Sequence, residues 1–246
     1  MNEQTPEVSI VIPAYNEERY LPQYLPTVLT ALRYWEKATG GRGEIIVVDN
    51  ASTDATAQIA ADYGARIVAE PLRGIGRARN TGAAAARGDR LVFIDADVDF
   101  PEDGIYAAMR HLTSGACVGG TIPALYEPTK LGARLLVAAW ALYRRHFGGA
   151  QGVTQFCTRE AFFTLGGYRS ELFMSEDVDF FARLIRLGRR RQAPVIYLTD
   201  LRVRPSLRRF EQWSSWRMIW RANPIIARLF RTSRRFWQPW YDTTVR

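Results

Sequence analysis

Asp95, Ala96 and Asp97 follow directly on the hydrophobic run Leu91-Val92-Phe93-Ile94. Two carboxylates two residues apart at the end of a buried strand suit one hard divalent cation, Mg2+ or Mn2+, which also takes up substrate phosphates. Such a cation would screen a diphosphate as it departs. Solvated loop acids are the alternative for an isolated Asp-x-Asp, and its position directly after a strand argues against them. Asp49 likewise ends the run Ile45-Ile46-Val47-Val48, where its carboxylate can accept a hydrogen bond from a base N–H of the uracil or guanine type. The residues after it, Ser52 and Thr53, read as caps of the next helix, with Asp54 in its first turn.

Arg73-Gly74-Ile75-Gly76-Arg77-Ala78-Arg79 is a glycine-rich turn with arginines ahead of a helix N-terminus. It is not a dinucleotide fingerprint, because Arg79 stands where the third glycine belongs and the segment does not open the first βαβ unit. Two readings remain for Arg73 and Arg79, a diphosphate site or a structural turn. Glu176-Asp177 opens a helix whose apolar face is Phe180, Phe181, Leu184 and Leu187. One of these acids can serve as a general base, or both simply favour the helix N-terminus beside Ser175. His111 and His146 each stand alone, and the spacing of Cys117 and Cys157 matches no metal or redox motif, so two reduced core thiols are expected.

Short β-branched runs at 8–13, 44–49, 65–68 and 90–95 alternate with helical patterns at 17–37 and 77–86, the latter closed by Gly88. This alternation predicts βαβ units and a mainly parallel sheet with helices on both faces. In open α/β sheets ligands bind at the carboxyl ends of strands, which places Asp49 and Asp95 on one rim. Beyond residue 120 the alternation blurs; helices are expected at 131–146, 159–165 and 177–187, and a strand at 194–198.

Of the 246 residues, the first 200 carry 22 Lys+Arg against 23 Asp+Glu, whereas 201–246 carry 11 Arg against Glu211 and Asp242. A neutral body with a basic end argues against a nucleic-acid-binding face. The N-terminus reads as lacking a signal peptide, and the longest apolar run, Leu131 to Tyr143, is interrupted by Arg134. That run is shorter than the ~20 residues a membrane span needs, so a cytoplasmic protein is expected, at most at the inner face of the membrane.

Taken in order, Val8–Glu18, Val48–Asp54, Gly76–Gly82, Asp95-Ala96-Asp97 and Gly166-Gly167-Tyr168 leading to Glu176-Asp177 resemble the family 2 glycosyltransferases, which adopt the GT-A fold. The likeness spans about residues 7–200, with a C-terminal segment from 206 to 246 appended to a domain over 1–205. The resemblance implies a nucleotide-sugar donor of the UDP or GDP type, a divalent metal, and transfer of one sugar to a hydroxyl acceptor. It also implies that Pro13, Tyr15 and Glu17 line the nucleotide pocket and that Asp49 meets the base. Asp95 would approach the ribose or the metal, with Asp97 as direct metal ligand beside Ala96. Asp177 matches the base of inverting members, and Gln151-Gly152 the loop that meets donor sugar or acceptor. The Gln-x-x-Arg-Trp motif of processive synthases is absent; Ser206-Leu207-Arg208-Arg209-Phe210 resembles the ending of small soluble members, with Arg208 or Arg209 set to pair with the diphosphate. A sugar nucleotidyltransferase is a second reading, disfavoured because Pro13-Ala14-Tyr15-Asn16-Glu17 has no glycine. A non-catalytic nucleotide-sugar-binding module is a third.

Phe210, Trp213, Trp216 and Trp220 share one broad helical face beside Arg217 and Arg221, and Phe230, Phe236, Trp237 and Trp240 lie among four arginines, Arg228, Arg231, Arg234 and Arg235. A basic aromatic helix suits a membrane surface and a lipid-linked acceptor, a dimer seam, or packing back onto the domain.

Overall fold

The computed structural model describes residues 5–147, 153–208, 210, 214, 220, 226 and 229–241. The first half runs β1 (Val8–Ala14), α1 (Leu21–Thr39), β2 (Gly43–Asp49), α2 (Thr56–Asp62), β3 (Arg66–Ala69), α3 (Ile75–Ala85) and β4 (Arg90–Ile94). β3, β2, β1 and β4 pair in parallel in that spatial order, as the alternating pattern predicts. Ile10 and Ile12 point to one face and Val11 to the other, following the two-residue period of a strand. The first face is covered by α1 and by α4 (Gly104–Thr113), a helix the sequence reading left unassigned. The second is covered by α3, α6 (Arg159–Thr164) and α7 (Glu176–Arg190).

The blurred second half has a topological cause. The sheet is extended by β7 (Thr154–Thr158), β6 (Gly119–Thr121) and β8 (Val195–Tyr197), with β7 antiparallel to both β4 and β6. α5 (Leu131–Phe147) lies between β6 and β7 in sequence. A two-residue ribbon, β5 (Val98–Asp99) with β9 (Arg204–Pro205), brings the end of the chain back to the Asp-x-Asp turn, where the Ser206 N–H donates to the Asp97 carbonyl at 2.8 Å. α8 (Arg234–Tyr241) closes the described chain.

Several local readings are corrected. α1 begins at Leu21 rather than Glu17, because 17–20 form a turn in which the Glu17 carbonyl accepts from the N–H groups of Tyr20 and Leu21. Ser52 and Thr53 do not cap α2, which starts at Thr56. Gly88 lies beyond the end of α3 and passes against the β1 backbone, where an added Cβ would stand 2.7 Å from the Val8 carbonyl carbon.

Gly82 sets the height of α3 above the sheet. A Cβ there would fall 2.8 Å from Val48 Cγ2 and closer still to Val11, so the helix rests directly on β1 and β2. Gly82→Ala should therefore overpack this contact and cost about 1–3 kcal/mol in urea unfolding, without changing the m-value.

Candidate active site

The β1 and β2 ends are locked together before any ligand arrives. The Asn16 N–H donates to Ser52 Oγ at 3.1 Å, Thr53 N–H to Asn16 Oδ1 at 2.8 Å, and Glu17 N–H to Thr56 Oγ1 at 2.7 Å. This is the work Ser52 and Thr53 do in place of capping. Asp49 lies at the end of β2, with Oδ1 accepting the Ser52 N–H at 3.0 Å. Asn50, to which the sequence reading gave no role, is buried and ties down the loop that bears Arg73: its amide donates to the Glu70 and Leu72 carbonyls and its Oδ1 accepts from the Gly74 N–H. The Arg73 guanidinium then lies 3.0 Å over the ring of Tyr15, with Pro13 in β1 opposite Val48. Asn16, Ala51 and Ser175, three of the four described non-glycine residues with left-handed backbone, stand in the loops of this rim at φ +50°, +60° and +62°.

Arg79 projects from α3 and is 2% exposed. One guanidinium nitrogen donates to Asp95 at 2.7 Å and the other to Glu176 at 2.9 Å. Of the two readings for Arg79, the structure supports a structural one: its donors face carboxylates of this chain rather than an open diphosphate site. The C-terminal segment supplies a second clamp. Arg208, 5% exposed, forks onto both oxygens of Glu17 at 2.7 Å and reaches Asp97 at 2.9 Å. Its guanidinium also lies over Tyr20, and it borders a cavity of about 620 Å3 lined by Tyr20, Tyr24, Asp99 and Arg204. Glu17, expected to line the nucleotide pocket, is thus buried in an ion pair. Gln151, Gly152 and Arg209 lie outside the described residues.

A neutral network fixes the segment around Asp177. Asn80, one residue after Arg79, pairs through its amide with both main-chain groups of Tyr168, each at 2.8 Å. The Tyr168 hydroxyl donates to Gln155 Oε1 at 2.8 Å, and the Gln155 amide donates to the Asp177 carbonyl at 3.0 Å. Asn80 and Gln155 carry no sequence signature of this role; only their hydrogen bonds in the fold reveal it. The Ser175 hydroxyl makes no cap bond to α7. The described part of the C-terminal segment joins the same region: the Phe173 N–H donates to the Arg231 carbonyl at 2.7 Å, and Trp237 is fully buried. Phe210 packs back on Ala133 and Leu136 of α5, and the buried Trp237 donates its indole N–H to the Phe230 carbonyl at 2.9 Å, whereas Trp220 is exposed; Trp213, Trp216, Arg217, Arg221 and Arg228 lie outside the described residues.

Among the described residues, no three His, Cys, Asp or Glu side chains converge into a metal cage. A Mg2+ or Mn2+ ion that is bound mainly by substrate phosphates and water needs only one or two carboxylates. Asp97 fits that role: Arg208 engages one of its oxygens and a fifth of its side chain is open to solvent. Asp95 has one oxygen on Arg79, and Ala96 between them is buried.

Burial pushes the Asp95 carboxyl above its usual range, against the pull of Arg79. Burial, reinforced by the neighbouring Asp177 charge, raises Glu176 to about 7, because the single charge of Arg79 is divided between two acids. The unfolded chain releases the Glu176 proton near the ordinary glutamate value of 4.5, so between there and about 7 the folded state holds more protons and stability falls as pH rises. Glu176→Gln removes this slope. Its stability relative to wild type should increase between about pH 5 and about pH 7.5 in matched urea titrations, and a gap that stays flat would show Glu176 ionised throughout.

The model of the glycosyl transferase family 2 matches residues 9–173. An uncharacterised glycosyltransferase of Mycobacterium bovis is 32% identical over 179 residues, 68% of this chain and 77% of the relative. Among solved structures, S. aureus TarS 1-349 in complex with UDP-GlcNAc has a TM-score of 0.59 at 18% identity, over 80% of this chain and 58% of that one. Glucosyl-3-phosphoglycerate synthase from Mycobacterium tuberculosis, in complex with Mn2+, UDP and glucosyl-3-phosphoglycerate, has a TM-score of 0.50 at 26% identity, over 79% of this chain and 70% of that one. A parallel sheet whose rim gathers Asp49, Asp95 and Asp97, together with a family match over most of its length, makes this chain a member of glycosyl transferase family 2, with the GT-A architecture.

Proposed function

We propose that the rim binds a nucleoside-diphosphate sugar of the UDP or GDP type and transfers one sugar to a hydroxyl acceptor with inversion. The observation that carries this reading is the joining of the Asp-x-Asp turn to the Glu176-Asp177 helix start through one buried arginine, Arg79. The UDP and UDP-GlcNAc bound by the two solved relatives support a uridine nucleotide as the first donor to test. Asp49 and Tyr15 would meet the base, Arg73 the diphosphate, and Asp97, with Asp95 beside it, the metal. Mn2+ in one relative supports a divalent ion, which when bound supplies positive charge to the departing diphosphate.

Asp177 is the base in this mechanism, because Glu176 is buried and committed to Arg79 whereas Asp177 is partly exposed. Asp177 takes the proton from the acceptor hydroxyl as its oxygen attacks the anomeric carbon. The bond from that carbon to the β-phosphate oxygen breaks, and its electron pair leaves with the nucleoside diphosphate. Glu176 acts through Arg79 as a positioning residue, and Arg208 holds Asp97.

Asp177→Asn should lower kcat by about a hundred- to ten-thousandfold while leaving donor affinity within a few fold, measured by turnover and calorimetry. A variant with full turnover would place the base elsewhere, and a wild type that binds donor without turnover would favour a non-catalytic binding module. In the same calorimeter, Asp97→Ala should abolish the part of UDP binding that depends on Mn2+, and binding that keeps its metal dependence would place the ion elsewhere.

A further inference from the structure

α5 presents an apolar stripe to solvent. Leu131, Leu135 and Leu142 are 69%, 60% and 60% exposed, and Ala138 between them is exposed as well. The spacing 131, 135, 138, 142 is that of a single helix face. The opposite face is already used: Ala133 and Leu136 pack with Phe210, and Val137, Trp140, Tyr126 and Leu207 join that cluster. The stripe is thus an apolar surface in addition to the one that holds α5 to the domain. From Lys130 to Phe147 the sequence contains Lys130, Arg134, Arg144 and Arg145 and no Asp or Glu. Arg134 is exposed, one turn ahead of Ala138. The same chemistry recurs in the C-terminal segment, where Trp220, Leu229 and Phe230 are exposed within a stretch whose net charge is +9 over 201–246.

We propose that the Leu131–Leu135–Leu142 face of α5 lies in the interface of an anionic lipid membrane. A helix with leucines outward, flanked by arginines and free of acids, is matched in both polarity and charge by such a surface. No described helix is long and apolar enough to cross a membrane, and a 17-residue helix of about 25 Å lies flat along the interface with its stripe among the acyl chains. A second copy of the chain is the competing occupant, but a basic helix facing its own copy would bring like charges together, whereas anionic lipid neutralises them. The buried face of α5 packs on Leu207 and Phe210, which flank the Arg208 that holds Asp97. Membrane seating would therefore fix the rim at the lipid surface, where a lipid-linked acceptor hydroxyl would arrive. The surface itself rests on exposure and charge alone, so its test needs neither donor nor acceptor.

The full chain is sedimented with vesicles of phosphatidylglycerol and phosphatidylcholine, and with vesicles of phosphatidylcholine alone. The wild type should bind the anionic vesicles, more weakly in high salt, and bind the neutral ones poorly. Leu131→Gln/Leu135→Gln/Leu142→Gln changes only exposed side chains and should keep the wild-type circular dichroism while losing about a hundredfold or more in partitioning. Arg134→Gln should lose about fivefold. Absence of wild-type binding overturns the proposal, as does undiminished binding of the triple variant. A wild-type dimer by light scattering that the triple variant converts to monomer, without vesicle binding, overturns it in favour of a contact between copies.

Discussion

Arg79 carries one positive charge into a place where almost no water reaches, and two carboxylates from distant parts of the sequence share it. Asp95 is 16 residues away and Glu176 is 97 residues away. Removing a single partner from such a buried arrangement typically costs about 3–5 kcal/mol, because it leaves a charge without compensation. The sharing also explains why Glu176 stays protonated nearer neutrality than a solvated carboxyl: half an arginine does not repay full desolvation, and Asp177 repels from the next residue. The rest of the rim follows from this contact. α3 reaches the sheet closely enough to deliver Arg79 because Gly82 has no side chain, and Asn80, one residue on, pins the Tyr168 backbone that supports Gln155 and the start of α7.

Arg208 repeats the device from the other end of the chain, joining Glu17 to Asp97. The two arginines have a common electrostatic effect. An Asp-x-Asp turn standing alone would repel a diphosphate, and each of its carboxylates here is already partly neutralised by a fixed cation. In the proposed site a divalent ion would have less charge to offset, and one open carboxylate would be enough to place it. Because both arginines are buried, salt screens them little, and the arrangement is ready before the nucleotide binds.

The N-terminal half of the fold was legible because its physics is local. Continuous apolar strands such as Ile45–Val48 announce a doubly covered parallel sheet, and an acid at a strand end announces the rim. The antiparallel strand β7 was not legible: Thr154-Gln155-Phe156-Cys157-Thr158 has neither a clean alternation nor a long apolar run, and its partners lie 33 and more residues upstream. The acids of the site could be named from the sequence, but their partners could not. Arg79 reads as a diphosphate ligand or as part of a structural turn, and Arg208 as a diphosphate partner by resemblance, and neither reading reveals the buried carboxylates they meet in the fold. Asn50, Asn80 and Gln155 escaped for the same reason, since an amide that satisfies distant backbone groups leaves no pattern around itself. The C-terminal aromatics divided by residue, with Trp237 in the interior and Trp220 at the surface, and no helical period separates the two.

Arg79 couples the Asp-x-Asp turn to the start of α7. A double-mutant cycle between Arg79→Met and Glu176→Gln, read by urea unfolding at neutral pH, tests it most directly. Arg79→Met alone should be strongly destabilising, and adding Glu176→Gln should restore part of the loss, giving a coupling of about 1 kcal/mol or more. Additive effects, with a coupling within about 0.3–0.5 kcal/mol of zero, would contradict it.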